Sequence, residues 1–310
     1  MSSNDVKNDI MSRLRTDYMA RSLYYYDKTD STNLRIRELA GAPGVCDSAE
    51  GAPEGTLVVA DMQTAGRGRR GRGWISPAGM NIYMSLLLKP AIPASDASMI
   101  TLIAAMAVAG AVNEVPGTIT KMLQNTAAFR NNSVMVPGTT TAAAIKWPND
   151  IVVGGRKVCG ILTEMDLDGE AIRDVIVGIG INVNQDRRDL FPEEIRDTAT
   201  SLRLEMVPGT DRDAAPEIDR NALIARIMDL FEKEYDEFLK CGDLSFMKER
   251  YNDMLAGQGG QVRVLDPQGE FTGISRGIDE RGRLLVETDE GEVRTVYAGE
   301  VSVRGLYGYV

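Results

Sequence analysis

The sequence predicts an α+β protein: helices packed on a mixed β-sheet, followed by a small β-barrel of SH3-like size. Three observations predict this. Three apolar runs, Ala142–Trp147, Lys157–Met165 and Ile172–Val183, are separated by Gly154-Gly155 and Asp168-Gly169, residues suited to hairpin turns. Two stretches carry helical patterns instead: the Ala-rich Met99–Val112, and a stretch with Leu223, Ile227, Leu230, Phe231 and Phe238 on one side. After the linker Gly257-Gln-Gly-Gly260, the remaining residues form short alternating strands.

The elements follow in chain order. Residues 1–22 are polar with a few apolar positions, enough for one short helix and too few for a DNA-binding domain. Tyr24-Tyr25-Tyr26 reads as a strand. Asp30-Ser31-Thr32-Asn33 stands before a helix over Leu34–Leu39 that Gly41 ends. Residues 41–55 are Gly-, Pro- and acid-rich and form a loop; Thr56–Met62 and Asn81–Leu88 are buried strands on either side of an Arg/Gly loop, Gly66–Gly73. The helix at Met99–Val112 is expected to be capped by Ser95 or Asp96. It is shorter than the ~20 residues of a membrane span and belongs in a core. The polar stretch Val115–Thr141 has Val-Pro-Gly-Thr at each end, and the same four residues recur at Val207–Thr210 as turns, not as a repeat. A short helix follows Asp243, and the barrel strands are Gln261–Leu265, Phe271–Ser275, Leu284–Glu287, Val293–Tyr297 and Glu300–Arg304. The expected organisation is an extension over 1–22, a main domain over 23–256 and the barrel over 257–310.

Composition removes several function classes. With 310 residues, 45 Asp+Glu against 35 Lys+Arg and a net charge of −10, the chain lacks the broad basic face of a general nucleic-acid binder. It contains no histidine, which excludes His bases, Ser–His and Cys–His pairs and His metal ligands. Cys46, Cys159 and Cys241 are odd in number and far apart, so neither a disulfide framework nor a zinc site is expected. The N-terminus lacks the basic-then-apolar pattern of a secretory signal, and a cytoplasmic protein is expected.

Against that acidic background, Gln63-Thr-Ala-Gly66-Arg67-Gly68-Arg69-Arg70-Gly71-Arg72-Gly73-Trp74 places four arginines within six positions. Guanidinium forks suit phosphate and carboxylate oxygens, and interleaved glycines let backbone amides approach the same anion. Gly66-x-Gly68-x-x-Gly71 is literally a dinucleotide fingerprint, but it leads into a strand rather than a helix, so that reading fails. A kinase glycine loop fails too, because no His-Arg-Asp or Asp-Phe-Gly exists.

Two further clusters carry chemistry. Lys146-Trp147-Pro148-Asn149-Asp150 must bend at Pro148, presenting a Lys and an Asp at the core's edge; a structural Asx turn with a salt-bridged Lys is the alternative. Lys157 opens an otherwise apolar strand, Arg156–Glu164, and needs an anionic partner there. Gly178-Ile-Gly180-Ile-Asn182 puts small residues on one face, which lets a ligand lie against the backbone; strand packing explains Gly180 equally well.

In order and spacing these segments resemble the biotin protein ligases (biotin–acetyl-CoA-carboxylase ligases) over about residues 23–310. The resemblance rests on Asp30–Asn33, Gln63–Arg72 with Trp74, Lys146–Asp150, Arg156-Lys157 with Gly160-Ile-Leu, and Gly178–Asn182. It implies a class II synthetase-like biotin/lipoate ligase fold and two reactions. Biotin and MgATP give biotinyl-5′-adenylate and pyrophosphate, and a lysine of a biotin carboxyl carrier protein (of acetyl-CoA carboxylase or a related carboxylase) then takes the biotin. It implies that Ser31, Thr32, Asn33, Gln63, Gly66, Arg67, Arg69, Lys157 and Gly160 hold biotin. Arg69, Arg70, Arg72, Trp74, Lys146, Asn149 and Asn182 fall on the ATP side, and Arg69 and Lys157 at the carboxylate–phosphate junction. Asp150 is the available carboxylate to orient or deprotonate the acceptor lysine. Mg2+ is expected with ATP; its ligands are not legible. Many members of the family dimerise through an edge strand, so the resemblance makes a homodimer one of the expected states. Only about 22 residues precede the core, which with a pI of 4.8 predicts a monofunctional ligase that binds neither operator DNA nor membrane. A lipoate or octanoate ligase and a noncatalytic biotin sensor are the alternatives.

Overall fold

The computed structural model describes residues 2–41, 51–115, 142–206, 217–266, 269–299, 302–305 and 309–310. Cys46 with most of the acidic loop, the 116–141 stretch, the turn at 207–210 and the predicted start of the last strand at Glu300 lie outside the described residues.

Strands buried on both faces build the main sheet. Its seven strands are β1 (Leu23–Tyr26), β2 (Leu57–Ala60), β3 (Ile82–Leu88), β4 (Ala144–Lys146), β5 (Asp150–Val153), β6 (Arg156–Asp168) and β7 (Ala171–Ile181). Their order is β1-β2-β3-β7-β6-β5-β4, with β1 parallel to β2 and every other pair antiparallel. The sheet is therefore mixed, as the sequence predicts. The Gly154-Gly155 and Gly169 turns join β5, β6 and β7, each glycine at positive φ.

Alternation divides the sheet into two faces. Met84, Leu86, Leu88, Val175, Val177, Ile179, Cys159 and Ile161 face one core; Leu87 and Ile176 face a second, smaller one with Ile36. The larger core is closed by α1 (Ser3–Arg13), α3 (Ala97–Glu114) and α5 (Arg220–Cys241), the smaller by α2 (Thr32–Gly41). Short α4 (Leu202–Met206) and α6 (Lys248–Met254) complete the helices named here.

The segment Ala94–Glu114 is apolar and long enough to cross a membrane by length and composition, yet 78% of its apolar window is buried inside the protein. Its expected cap is not what forms. A 3-10 turn, Ala94–Asp96, precedes α3, and Asp96 makes no capping bond; its carboxylate pairs with Arg281 instead. Helix α5 has the sequence-like ends: Asp219 caps the Asn221 and Ala222 amides at 3.1 Å, and Gly242 stops it at φ 75°.

The chain before β1 is part of the main core. Ser2 and Asp5 form a capping box, Ile10 is fully buried, and Glu232 of α5 accepts the Asp17, Tyr18 and Met19 amides at 2.7–3.0 Å.

The C-terminal strands β8 (Gln261–Leu265), β9 (Phe271–Ile278), β10 (Leu284–Glu287), β11 (Val293–Val296) and β12 (Ser302–Gly305) form a five-stranded antiparallel sheet, ordered β11-β10-β9-β8-β12. It meets the larger sheet through a bond from Trp147 Nε1, next to β4, to the Gly282 carbonyl (3.0 Å).

Candidate active site

The second face of the main sheet carries a cavity of about 380 Å3. Its floor follows from register. Gly160 on β6 pairs with Gly180 on β7, and Gly178 pairs with Leu162 on one side and Ser85 on the other. All three glycines point to the face opposite the large core, and a Cβ on any of them would meet a side chain of the site. At Gly180 it would lie 2.6 Å from the Trp74 ring, at Gly160 3.0 Å from it, and at Gly178 within the Asn33 amide. The small-residue face read from Gly178–Asn182 thus floors the cavity, and its glycines make room for the Trp74 ring and the Asn33 amide.

Above β3 and β7, neutral Thr32, Asn33, Gln63 and Ser85 interlock. Thr32 opens α2; its amide and hydroxyl donate to Gln63 Oε1 at 2.8 and 3.2 Å. Gln63 Nε2 donates to Ser76 Oγ at 3.0 Å. Ser85 Oγ lies 2.8 Å from Thr32 Oγ1 and 2.6 Å from Asn33 Oδ1. Asn33 Nδ2 donates to Glu164 at 2.8 Å, and Glu164 in turn pairs with Arg67 at 3.3 Å. Asp30 sets this turn: Arg35 holds its carboxyl well below the usual carboxylate range, and it accepts the Ser31 amide.

Above β4 to β6 the groups are charged. Lys157 Nζ donates to Asp150 Oδ1 at 2.6 Å, the anionic partner its strand position requires. Asn149 Nδ2 donates to the same oxygen at 3.1 Å, and Tyr309 donates its phenol to Oδ2 at 2.6 Å. Asp150 therefore enters the site with both oxygens engaged. Lys146 is buried beside Asp150, Lys157, Arg304 and Arg69, and burial pushes its ammonium down to about 8. Lys157 also sits 5.4 Å from the Trp74 ring centre.

The Arg/Gly loop is a closed hairpin. Gln63 bridges Ser76, Arg67 bridges Gly73, and the Trp74 amide donates to the Gly66 carbonyl at 2.8 Å. Its apex, Arg69–Gly71, has Arg70 at φ 58° and Gly71 at φ 70°. Arg69 spans from Asn149 to the Gly299 carbonyl of the C-terminal domain, and burial lowers its pKa. Arg70 and Arg72 are exposed at the rim.

Ser31, Thr32, Asn33, Gln63, Arg67, Arg69, Arg70, Arg72, Trp74, Lys146, Asn149, Asp150, Lys157, Gly160 and Asn182 all line this one cavity. Gly66 does not: a Cβ there would strike the Trp74 carbonyl, so its glycine serves hairpin closure. Asn182 reaches the wall while donating to the Thr200 carbonyl at 3.1 Å. Cys159, next to the floor, faces the core, and burial pushes its thiol up, leaving it inert. Sequence reasoning missed Ser85, Glu164 and Tyr309. Ser85 and Glu164 had a signal, a polar residue on the floor face of a strand; Tyr309 had none, since only tertiary folding brings it here.

Among the described residues no three potential acidic, Cys or His ligands cluster for a protein-held Mg2+, and Asp150 is the one carboxylate lining the cavity.

A glycine-floored cavity with neutral groups on one side and fixed cations on the other defines a protein that receives a polar small acid and a phosphate together. Known proteins agree with that class. The biotin/lipoate A/B protein ligase family model matches residues 47–182, and the biotin protein ligase C-terminal domain model matches residues 259–304. The chain is 38% identical to the bifunctional ligase/repressor of Bacillus subtilis over 96% of this chain and 78% of that one. It is 32% identical to the biotin–[acetyl-CoA-carboxylase] ligase of Mycobacterium tuberculosis over 91% of this chain and 88% of that one. The biotin protein ligase from Aquifex aeolicus in complex with biotin and ATP superposes with a TM-score of 0.67 at 28% identity, covering 92% of this chain and 99% of that one. The chain belongs to the biotin/lipoate protein ligase family, among its biotin protein ligases.

Proposed function

We propose that the protein activates biotin with ATP as biotinyl-5′-AMP, releasing pyrophosphate, and passes the biotin to a lysine of a biotin carboxyl carrier protein. One observation carries this: interlocked Thr32, Gln63 and Asn33 share a single cavity with Lys146, Lys157 and the Arg67–Arg72 hairpin. The ureido ring of biotin needs neutral donors and acceptors, and the carboxylate and triphosphate need cations.

In the first step a carboxylate oxygen of biotin attacks the α-phosphorus of ATP, the bond to the β-phosphate breaks, and pyrophosphate leaves. Two anions must meet, so the obstacle is repulsion and the spreading charge of the transition state. Lys157 and Arg69 lie at that junction; Lys146, Arg70 and Arg72 face the phosphates, with Trp74, Asn149 and Asn182 around the nucleotide. No step needs an imidazole. Mg2+ would enter with ATP and help neutralise the phosphate charge there.

In the second step the acceptor amine attacks the acyl carbon, the bond to the phosphate oxygen breaks, AMP leaves, and the amine loses a proton. Asp150 orients that amine. The test uses purified biotinyl-5′-AMP and a carrier domain. Asp150→Asn is expected to slow transfer more than pyrophosphate exchange; full transfer with impaired exchange would remove Asp150 from this role.

The setting we propose is the cytoplasm, with an acetyl-CoA carboxylase or related carrier as protein substrate. From the net charge of −10, no binding to operator DNA is proposed; a mobility shift on its own biotin-gene promoter would contradict that. Any homodimer is proposed to pair along an outer strand of the main sheet, β1 or β4. Sedimentation velocity at rising concentration reads it.

A further inference from the structure

Tyr309 reaches the cavity from the other domain. It lies beyond β12, where Gly305 lets the chain pack back: a Cβ on Gly305 would lie 2.5 Å from the Val310 carbonyl. From there one side chain touches two charged groups of the site. Its hydroxyl donates to Asp150 Oδ2 at 2.6 Å, and its ring face lies 3.8 Å from Lys146 Nζ.

Both contacts have a chemical consequence. Asp150 Oδ1 is held by Lys157 and Asn149, so Tyr309 alone among the described residues fixes the direction of Oδ2. Burial and the Asp150 carboxylate push the Tyr309 phenol up, so it stays a donor. Lys146 faces Asp150 on β5, Lys157 on β6, Arg304 on β12, Arg69 of the hairpin, and Tyr309. Three of those neighbours are cations that repel it; the Asp150 carboxylate and the electron-rich ring face oppose them.

We propose that Tyr309 is a positioning residue supplied by the C-terminal domain, whose hydroxyl sets Asp150 for transfer and whose ring holds Lys146 for ATP. This rests on the function proposed above. The two halves of the side chain then serve the two half-reactions separately, which a merely structural residue would not do.

The experiment compares wild type, Tyr309→Phe and Tyr309→Leu in the full chain. It measures biotin-dependent ATP–pyrophosphate exchange and transfer from biotinyl-5′-AMP to a carrier domain, each from neutral to alkaline pH. Tyr309→Phe loses only the hydroxyl, and its transfer is expected to fall about tenfold, more than its exchange. Its alkaline limb of kcat/KM for ATP is expected to stay where the wild type has it. Tyr309→Leu also loses the ring, which favours the charged ammonium, so its limb is expected roughly half a pH unit lower. Two results overturn the inference: transfer by Tyr309→Phe equal to wild type, or both half-reactions falling in proportion in both variants with the limb unmoved. A wild type without biotin-dependent exchange would instead overturn the proposed function.

Discussion

Single glycines and single cations decide what this site can hold. Gly178 is occupied from above by the Asn33 amide, which is fixed on both sides by Ser85 and Glu164. A methyl group there has nowhere to go, so Gly178→Ala is expected to raise the KM for biotin at least about tenfold, with a smaller change for ATP. Steady-state exchange kinetics at varied biotin and varied ATP read the difference. Lys157→Ala removes the cation at the junction and leaves Asp150 without its ion pair; exchange is expected to fall on the order of 10²-fold or more. Near-normal pyrophosphate release would contradict that role. Lys146 gives the site its pH dependence. Its ammonium, pushed down to about 8 by burial, is charged below that value and neutral above it, so kcat/KM for ATP is expected to fall as pH rises through about 8. These residues were legible in the sequence because each is anomalous where it stands: a lysine opening an apolar strand, glycines alternating within one, four arginines in an acidic chain. Tyr309 was not legible, because a tyrosine after a short strand violates no local rule.

Elements place those residues, and here sequence and structure part at the ends. Strands β4, β6 and β7 were readable because apolar runs and turn glycines agree; β5, four residues between the Pro148 bend and Gly154, was too short to stand out as a run. The hairpin formed by the Arg/Gly loop was not, since its closure depends on a backbone contact between Gly66 and Trp74 that only glycine permits. Asp96 shows the same limit: local chemistry nominates it as a cap, but Arg281 of the other domain claims it. The polar segment before β1 belongs to the main core through one acid. Glu232 is 7% exposed and accepts three consecutive amides, those of exposed Asp17, half-buried Tyr18 and buried Met19, so Glu232→Ala removes the acceptor of all three. Its cost is expected to be about 3 kcal/mol of unfolding free energy, read from the urea midpoint at unchanged m-value.

At the scale of the whole molecule, the small C-terminal sheet helps build the site. Arg69 bonds the Gly299 carbonyl, Trp147 bonds the Gly282 carbonyl, and Tyr309 bonds Asp150, so both domains frame the charged half of the cavity. The chain's net charge of −10 is thereby reconciled with a local concentration of cations: Lys146, Lys157 and Arg69 within the cavity and Arg70 and Arg72 at its rim surround one small volume suited to a carboxylate meeting a phosphate. The absence of histidine fits a reaction governed by charge neutralisation and positioning. The most direct measurement of that claim is ATP–pyrophosphate exchange with biotin, lipoate and octanoate supplied in turn. Exchange with biotin alone is the expected result; exchange with lipoate or octanoate in place of biotin, or with none of the three, would contradict it.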